Sequence, residues 1–159
     1  MSLLIQYTLI FASVLLLVAL GGCFSEHSGV INLGLEGIMV MGSLGGALVM
    51  RFMPNLSAPL MILAVVLGAM LFGLIYSALL GLACINFKAD QTIVGTAMNM
   101  LATAAATVFV KAMNASINPN DVSSTIQYVE QKKNFLIYFG NFEFNWFMLI
   151  ALLVLIAAY

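Results

Sequence analysis

The chain has 159 residues, of which 64% are hydrophobic and 7% charged, with a formal net charge of −1 and a mean hydropathy of +1.13. A soluble domain carries about a quarter charged residues, so this composition excludes one and defines an integral membrane protein. No basic cluster occurs beyond Lys132-Lys133, which excludes nucleic acid as a partner.

A helix needs about 20 apolar residues to cross a bilayer at 1.5 Å rise per residue. Residues 3–20 come close to that and form the first predicted helix. The run ends in Leu20-Gly21-Gly22-Cys23, which superficially resembles a lipoprotein signal. No Lys or Arg precedes it, it is longer than a signal core, and further spans follow, so it reads as a transmembrane helix. Cys23 and Cys84 lack any CxxC or Cys/His metal spacing and read as small buried apolar residues.

The next stretch, GGCFSEHSGVINLGLEGIMVMG, runs from Gly21 to Gly42 and holds Glu26, Glu36 and the single histidine, His27. An ionisable group placed in hydrocarbon costs roughly 2.5–3.5 kcal/mol, so such groups face a cavity or a partner. Gly29, Gly34 and Gly37 permit the tight backbone of a broken or re-entrant segment between the first two helices. Asn32 and Glu36 are four apart and share one face if helical. Two readings of the carboxylates stand: an acid/base pair or proton relay with His27, or groups that satisfy irregular backbone at membrane depth.

The second helix is predicted over 36–53, with Gly42 and Gly46 as a GxxxG pair for close helix packing. The third covers 59–83, opens on Pro59 and carries Gly73, Ser77 and Gly81 every four residues, a second packing stripe. A short polar link leads to Asp90, placed to cap the fourth helix over 92–111. Thr96, Asn99, Thr103 and Thr107 give that helix one polar edge. Its hydroxyls either bond back to their own helix or line a wet pathway. Residues 112–143 read as an extramembrane loop, with patches able to pair as a hairpin or lie on the bilayer. A fifth apolar helix is predicted over 144–159, and the expectation is a single transmembrane domain that is the N-terminal portion of a longer one. The fold class is therefore all-α, a polytopic helical bundle.

No P-loop, GxGxxG, nucleophile elbow or metal-ligand cluster is present, so no catalytic residue, metal or cofactor is expected and the chain does not read as an enzyme. Discontinuous helices with polar residues at membrane depth point to a transporter.

The Gly21–Gly42 stretch resembles the GG-x-FSERSGV-x-N-x-GLEG-x-M signature of ABC-transporter permeases of the nucleoside type, within the ribose-type and branched-chain amino acid permeases. ADQTIVGTAMNMLA, residues 89–102, resembles that family's ADE-x-x-SG-x-A-x-N-x-LA segment. His27 departs from the usual arginine, and an unperturbed His titrates near 6.5. The resemblance implies a multi-pass permease subunit of the bacterial inner membrane that imports nucleosides or related small sugars and lines half of the path. It also implies a second homologous permease, cytoplasmic ATPase subunits that hydrolyse the ATP, and an extracytoplasmic solute-binding protein. By position, Asn32, Glu36 and Asn99 fall near the path, while Glu26 and His27 structure the segment. The alternatives are a proton-coupled carrier using Glu26, His27 and Glu36, or a membrane assembly protein without transport. The family layout puts the N-terminus outside and Lys88 inside; counting Arg51, Lys111, Lys132 and Lys133 against Lys88 favours the reverse.

Overall fold

The computed structural model describes residues 2–29, 31–126, 136–139 and 142–158. Five helices follow in order: α1 Ser2–His27, α2 Leu35–Phe52, α3 Ala58–Ile85, α4 Gln91–Ile117 and α5 Trp146–Ala158. A hairpin of β1 Leu136–Phe139 and β2 Phe142–Asn145 precedes α5, antiparallel with Leu136 opposite Asn145. Four helices are long and apolar enough to cross a membrane. The chain is thus a polytopic helical membrane bundle with one small hairpin.

The bundle is built on α2, which packs against both α3 and α4, while α1 lies to the side and packs on α5. Three small buried clusters follow α2 along its length: Tyr76, Leu80, Met98 and Ala102; Leu44, Leu48 and Val110; Met61 and Val65. Most remaining large apolar side chains are exposed, including Leu74 and Met70 on α3 and Leu15 on α1. Hydrocarbon, not protein, is their natural neighbour, because a membrane helix gains nothing by hiding leucine from lipid.

Two helix ends differ from the apolar-run prediction for reasons of local chemistry. The first helix does not stop at Leu20 but continues through Gly21-Gly22 to His27. It ends where Gly29 takes a left-handed φ of 80° and donates its N–H to the Glu26 carbonyl at 2.9 Å, a conformation that glycine adopts without steric cost. The irregular segment is therefore confined to the residues between His27 and Leu35. The fourth helix does not stop at residue 111 but reaches Ile117. Lys111 sits exposed on its surface, and the real stop is Pro119, which holds the preceding Asn118 in extended backbone at φ −138°, ψ 104°. Cys84 is half-buried, but Cys23 is exposed on α1 rather than buried. Of the loop patches that could pair as a hairpin or lie on the bilayer, Thr125–Val129 and Phe135–Phe139, the first lies largely outside the described residues, while β1 within the second pairs with Phe142–Asn145.

Candidate functional site

At one end of the bundle the break between α1 and α2 is wedged against α3 and α4. A Cβ on Gly34 would stand 2.7 Å from a Leu80 methyl, and one on Gly95 would stand 3.0 Å from both the Gly34 nitrogen and the Leu33 Cβ. Only glycines allow the irregular chain to lie so near α4.

Irregular backbone packed against helices needs polar partners, and Asn99 of α4 supplies two. Its Nδ2 donates to the Leu33 carbonyl at 2.8 Å, and its Oδ1 accepts from the Gly37 N–H at 2.7 Å. One carboxamide thus grips both sides of the α2 N-terminus. Asn32 Oδ1 accepts from the Gly34 N–H at 3.0 Å and closes the turn. Tyr76 donates its hydroxyl to the Met98 carbonyl at 2.7 Å, tying α3 to α4 at the residue next to the clamp.

Glu36 lies exposed in the first turn of α2, where a carboxylate meets the positive end of the helix dipole. Glu26 and His27 are exposed at the end of α1. Among the described residues no hydrogen bond or ion pair joins the side chains of Glu26, His27 and Glu36, so they do not form a connected relay. No described group of His, Cys, Asp and Glu side chains is arranged to hold a metal ion. Asp90 Oδ1 accepts from the Thr92 and Ile93 N–H groups at 2.8 and 3.3 Å. Those backbone bonds, from Ile93 and then Thr92, hold its carboxyl below the ordinary value.

From this end a groove runs between α2 and α4. Val40, Ser43, Leu44 and Ala47 form one wall, and Ala106, Thr107 and Val110 the other. Ser124 and Ile126 also line it, and its volume is about 260 Å³. Glu36, Val40, Ser43 and Ala47 recur at helical spacing, so Glu36 lies at the near end of the same α2 face. On the opposite wall, Asn99, Thr103 and Thr107 recur every four residues. The Thr96, Thr103 and Thr107 hydroxyls all donate to carbonyls of their own helix, yet all three residues are exposed. Back-bonding uses the hydroxyl proton and leaves oxygen lone pairs facing outward, so the two readings of this polar edge are compatible.

The packing glycines divide. Gly42 and Gly46 lie against α3, where a Cβ would meet the Ala69 carbonyl and a Val65 methyl, each at 3.3 Å. Gly73 faces Ile38, and with Gly42 and Ser77 it lines a second, open apolar groove between α2 and α3. Gly81 has nothing within 4 Å. The tightest crossing lies elsewhere, at Gly45, whose Cβ would stand 2.7 Å from both the Gly68 carbonyl and Phe72. Sequence reasoning passed over Gly45, Gly68 and Gly95. The available signal for Gly68 was a glycine inside the apolar third helix and outside its Gly73, Ser77 and Gly81 stripe, since a glycine weakens a helix unless something approaches closely.

The architecture is that of a polytopic helical membrane protein, with the connection between α1 and α2 clamped by a carboxamide and a groove between α2 and α4 that carries three hydroxyl residues. The family model of the branched-chain amino acid transport system / permease component matches residues 4–159, and the chain belongs to that family. It is 44% identical over 115 residues to the guanosine ABC transporter permease protein NupQ of Bacillus subtilis, covering 70% of this chain and 35% of the relative. It is 33% identical over 110 residues to the nucleoside ABC transporter permease protein NupC of Lactococcus lactis, covering 65% and 33%. A putative glucose ABC transporter permease protein of Haloferax volcanii is 36% identical over 98 residues, covering 62% and 28%. The chain spans about a third of the length of these curated relatives. No solved structure matches it. Family and helices make this a multi-pass protein of the cell membrane, the inner membrane in bacteria.

Proposed function

We propose that this chain forms part of the membrane-spanning permease of an ATP-driven ABC importer for nucleosides or related small sugars, with the α2/α4 groove and the clamped break lining half of the translocation path. The observation that carries the reading is the groove between α2 and α4, with Ser43 and Thr107 in its walls and Glu36 and Asn99 at helical spacing from them on the same two helices, inside a chain of this family. Hydroxyls and a carboxamide suit a solute rich in hydroxyl and ring-nitrogen groups, because each can donate or accept as the solute passes. Relatives named for guanosine and nucleosides support the substrate class, and one named for glucose supports sugars as the second choice.

In this reading Glu36 contacts the passing solute, Asn32 shapes the turn beside it, and Asn99 holds the break while presenting its second amide N–H. Glu26 and His27 structure the end of α1. The partners are a second homologous permease subunit, ATPase subunits that hydrolyse the ATP, and an extracytoplasmic solute-binding protein. The family orientation, with the break reached from the cytoplasm, places Lys88 on the inner side and Arg51 on the outer.

Ser43→Leu in the assembled transporter tests the path. The bulkier side chain fills the groove, so guanosine uptake falls at least tenfold while the membrane level of the subunit is unchanged. Unchanged uptake would remove the groove from the path.

A further inference from the structure

We propose that residues 118–126 form a strap that closes the far mouth of the α2/α4 groove and that Asn114 is the latch that holds it there. The inference rests on the groove being the solute path, and its test separates the two.

Asn114 lies in the last turns of α4 and is 3% exposed, one of few polar side chains buried among the described residues. Its Oδ1 accepts from Arg51 Nη1 at 3.0 Å, joining the ends of α2 and α4. Its Nδ2 donates the other way, to the carbonyls of Ser123 and Thr125 at 3.0 and 2.9 Å and to the Ser123 hydroxyl at 3.3 Å. Among the described residues these are the only hydrogen bonds between 122–126 and the helices. A single carboxamide therefore carries every hydrogen bond from 122–126 to the helices, and its partner Arg51 also attracts the Asp121 carboxylate of the strap.

The alternation of an extended chain explains what the strap does. With Ser123 and Thr125 bonded to the latch, Ser124 and Ile126 share a face, and these two residues line the groove. Ile126 also packs on the cluster of Leu44, Leu48 and Val110. The bend that returns the strap is set by the Asp121 N–H donating to the Asn118 carbonyl at 2.8 Å and the Ser123 N–H donating to Asp121 Oδ1 at 2.9 Å. The groove thus has a mouth covered by a short segment, with Ile126 as its apolar contact and fastened through Asn114 and its partner Arg51. Such a segment opens without disturbing any helix-to-helix contact, which is the property of a lid and not of a packed loop.

Asn114→Asp isolates the latch, because the carboxylate still accepts from Arg51 but offers no N–H to the strap. In a background lacking both native thiols (Cys23→Ser, Cys84→Ala), Leu44→Cys reports access to the groove, because Leu44 lines it, is 7% exposed and belongs to the cluster that Ile126 covers. A membrane-impermeant maleimide is added, in membranes holding the full chain, to the side that carries Arg51. Asn114→Asp is expected to raise the alkylation rate at position 44 at least tenfold and to leave a control cysteine, Asn55→Cys, unchanged. Equal rates at position 44 with and without the substitution would overturn the latch. Where Asn114→Asp lowers the yield of folded protein, Ile126→Ala loosens the strap without touching Asn114 and should raise the rate at least threefold; no rise would overturn the proposal equally. Guanosine added to the Asn114→Asp protein reads the path separately. Acceleration without guanosine protection keeps the strap and removes the path, and protection without acceleration does the reverse.

Discussion

Replacing Asn99 with leucine removes both hydrogen bonds that hold the break. The Gly37 N–H loses its acceptor at 2.7 Å and the Leu33 carbonyl loses its donor at 2.8 Å. An orphaned buried backbone group costs about 1–3 kcal/mol. Gly37 is buried, so its N–H counts in full, whereas Leu33 is exposed and its carbonyl counts near the lower limit. The expected loss for Asn99→Leu is therefore about 2–4 kcal/mol. Asn99→Asp keeps the acceptor for Gly37 and forfeits only the donor to Leu33, so it should lose about half as much. Reversible unfolding in mixed micelles, titrated with SDS and followed by far-ultraviolet circular dichroism, measures both. If Asn99→Leu falls within about 0.5 kcal/mol of the parent, the range of an ordinary surface substitution, the clamp does not hold the break. Lost uptake at parental stability would then make Asn99 a solute contact alone.

Four further outcomes are expected. Gly45→Ala drives a methyl into the Gly68 carbonyl and Phe72 and should cost about 1–3 kcal/mol in the same unfolding assay, whereas Gly81→Ala, with open space around it, should be neutral or stabilise by up to about 1 kcal/mol. Lys88 is exposed with a left-handed φ of 52°, so Lys88→Gly should raise stability by about 0.5–1 kcal/mol, read as a higher thermal midpoint in detergent. The Asp90 carboxyl is held below its ordinary value, so its cap stabilises fully above that value and is lost as pH falls through the lowered one. The stability gap between parent and Asp90→Ala should accordingly be flat from pH 5 to 8, on the order of the physiological range, and shrink below about pH 4. Glu36→Gln should reduce uptake more than it reduces assembly, measured as transport against the amount of subunit in the membrane; equal loss of both would make Glu36 structural.

What could be read in advance follows from which interactions are local. Apolar length identifies spans without any knowledge of neighbours, so the four long helices were legible. The same criterion misplaced the end of α1, because it treats glycine as a stop, while a helix tolerates Gly21-Gly22 and ends where Gly29 turns left-handed. It also ended the fourth helix at the charge of Lys111, although nothing forbids helix before Pro119. The Asp90 cap was legible because capping needs only residues two and three positions away. Asn99 could be picked out as polar on an apolar helix, but its partners lie more than sixty residues away in sequence. Asn114 was missed because it was assigned to the loop, and its bonds to Arg51 and to Ser123 depend on α4 continuing past that point. The Gly45 and Gly68 crossing is likewise a property of two helices together, and neither glycine belongs to the four-residue small-residue spacings that mark Gly42 and Gly46 or Gly73, Ser77 and Gly81.

The energy source of uptake tests the central claim most directly. In cells expressing the complete transporter that contains this chain, radiolabelled guanosine uptake is measured after ATP depletion with the proton gradient kept, and after uncoupling with ATP kept. A permease of an ATP-driven importer predicts that uptake stops in the first condition and persists in the second. Uptake that survives ATP depletion and collapses on uncoupling would contradict the account and return Glu26, His27 and Glu36 to consideration as a proton-coupled set.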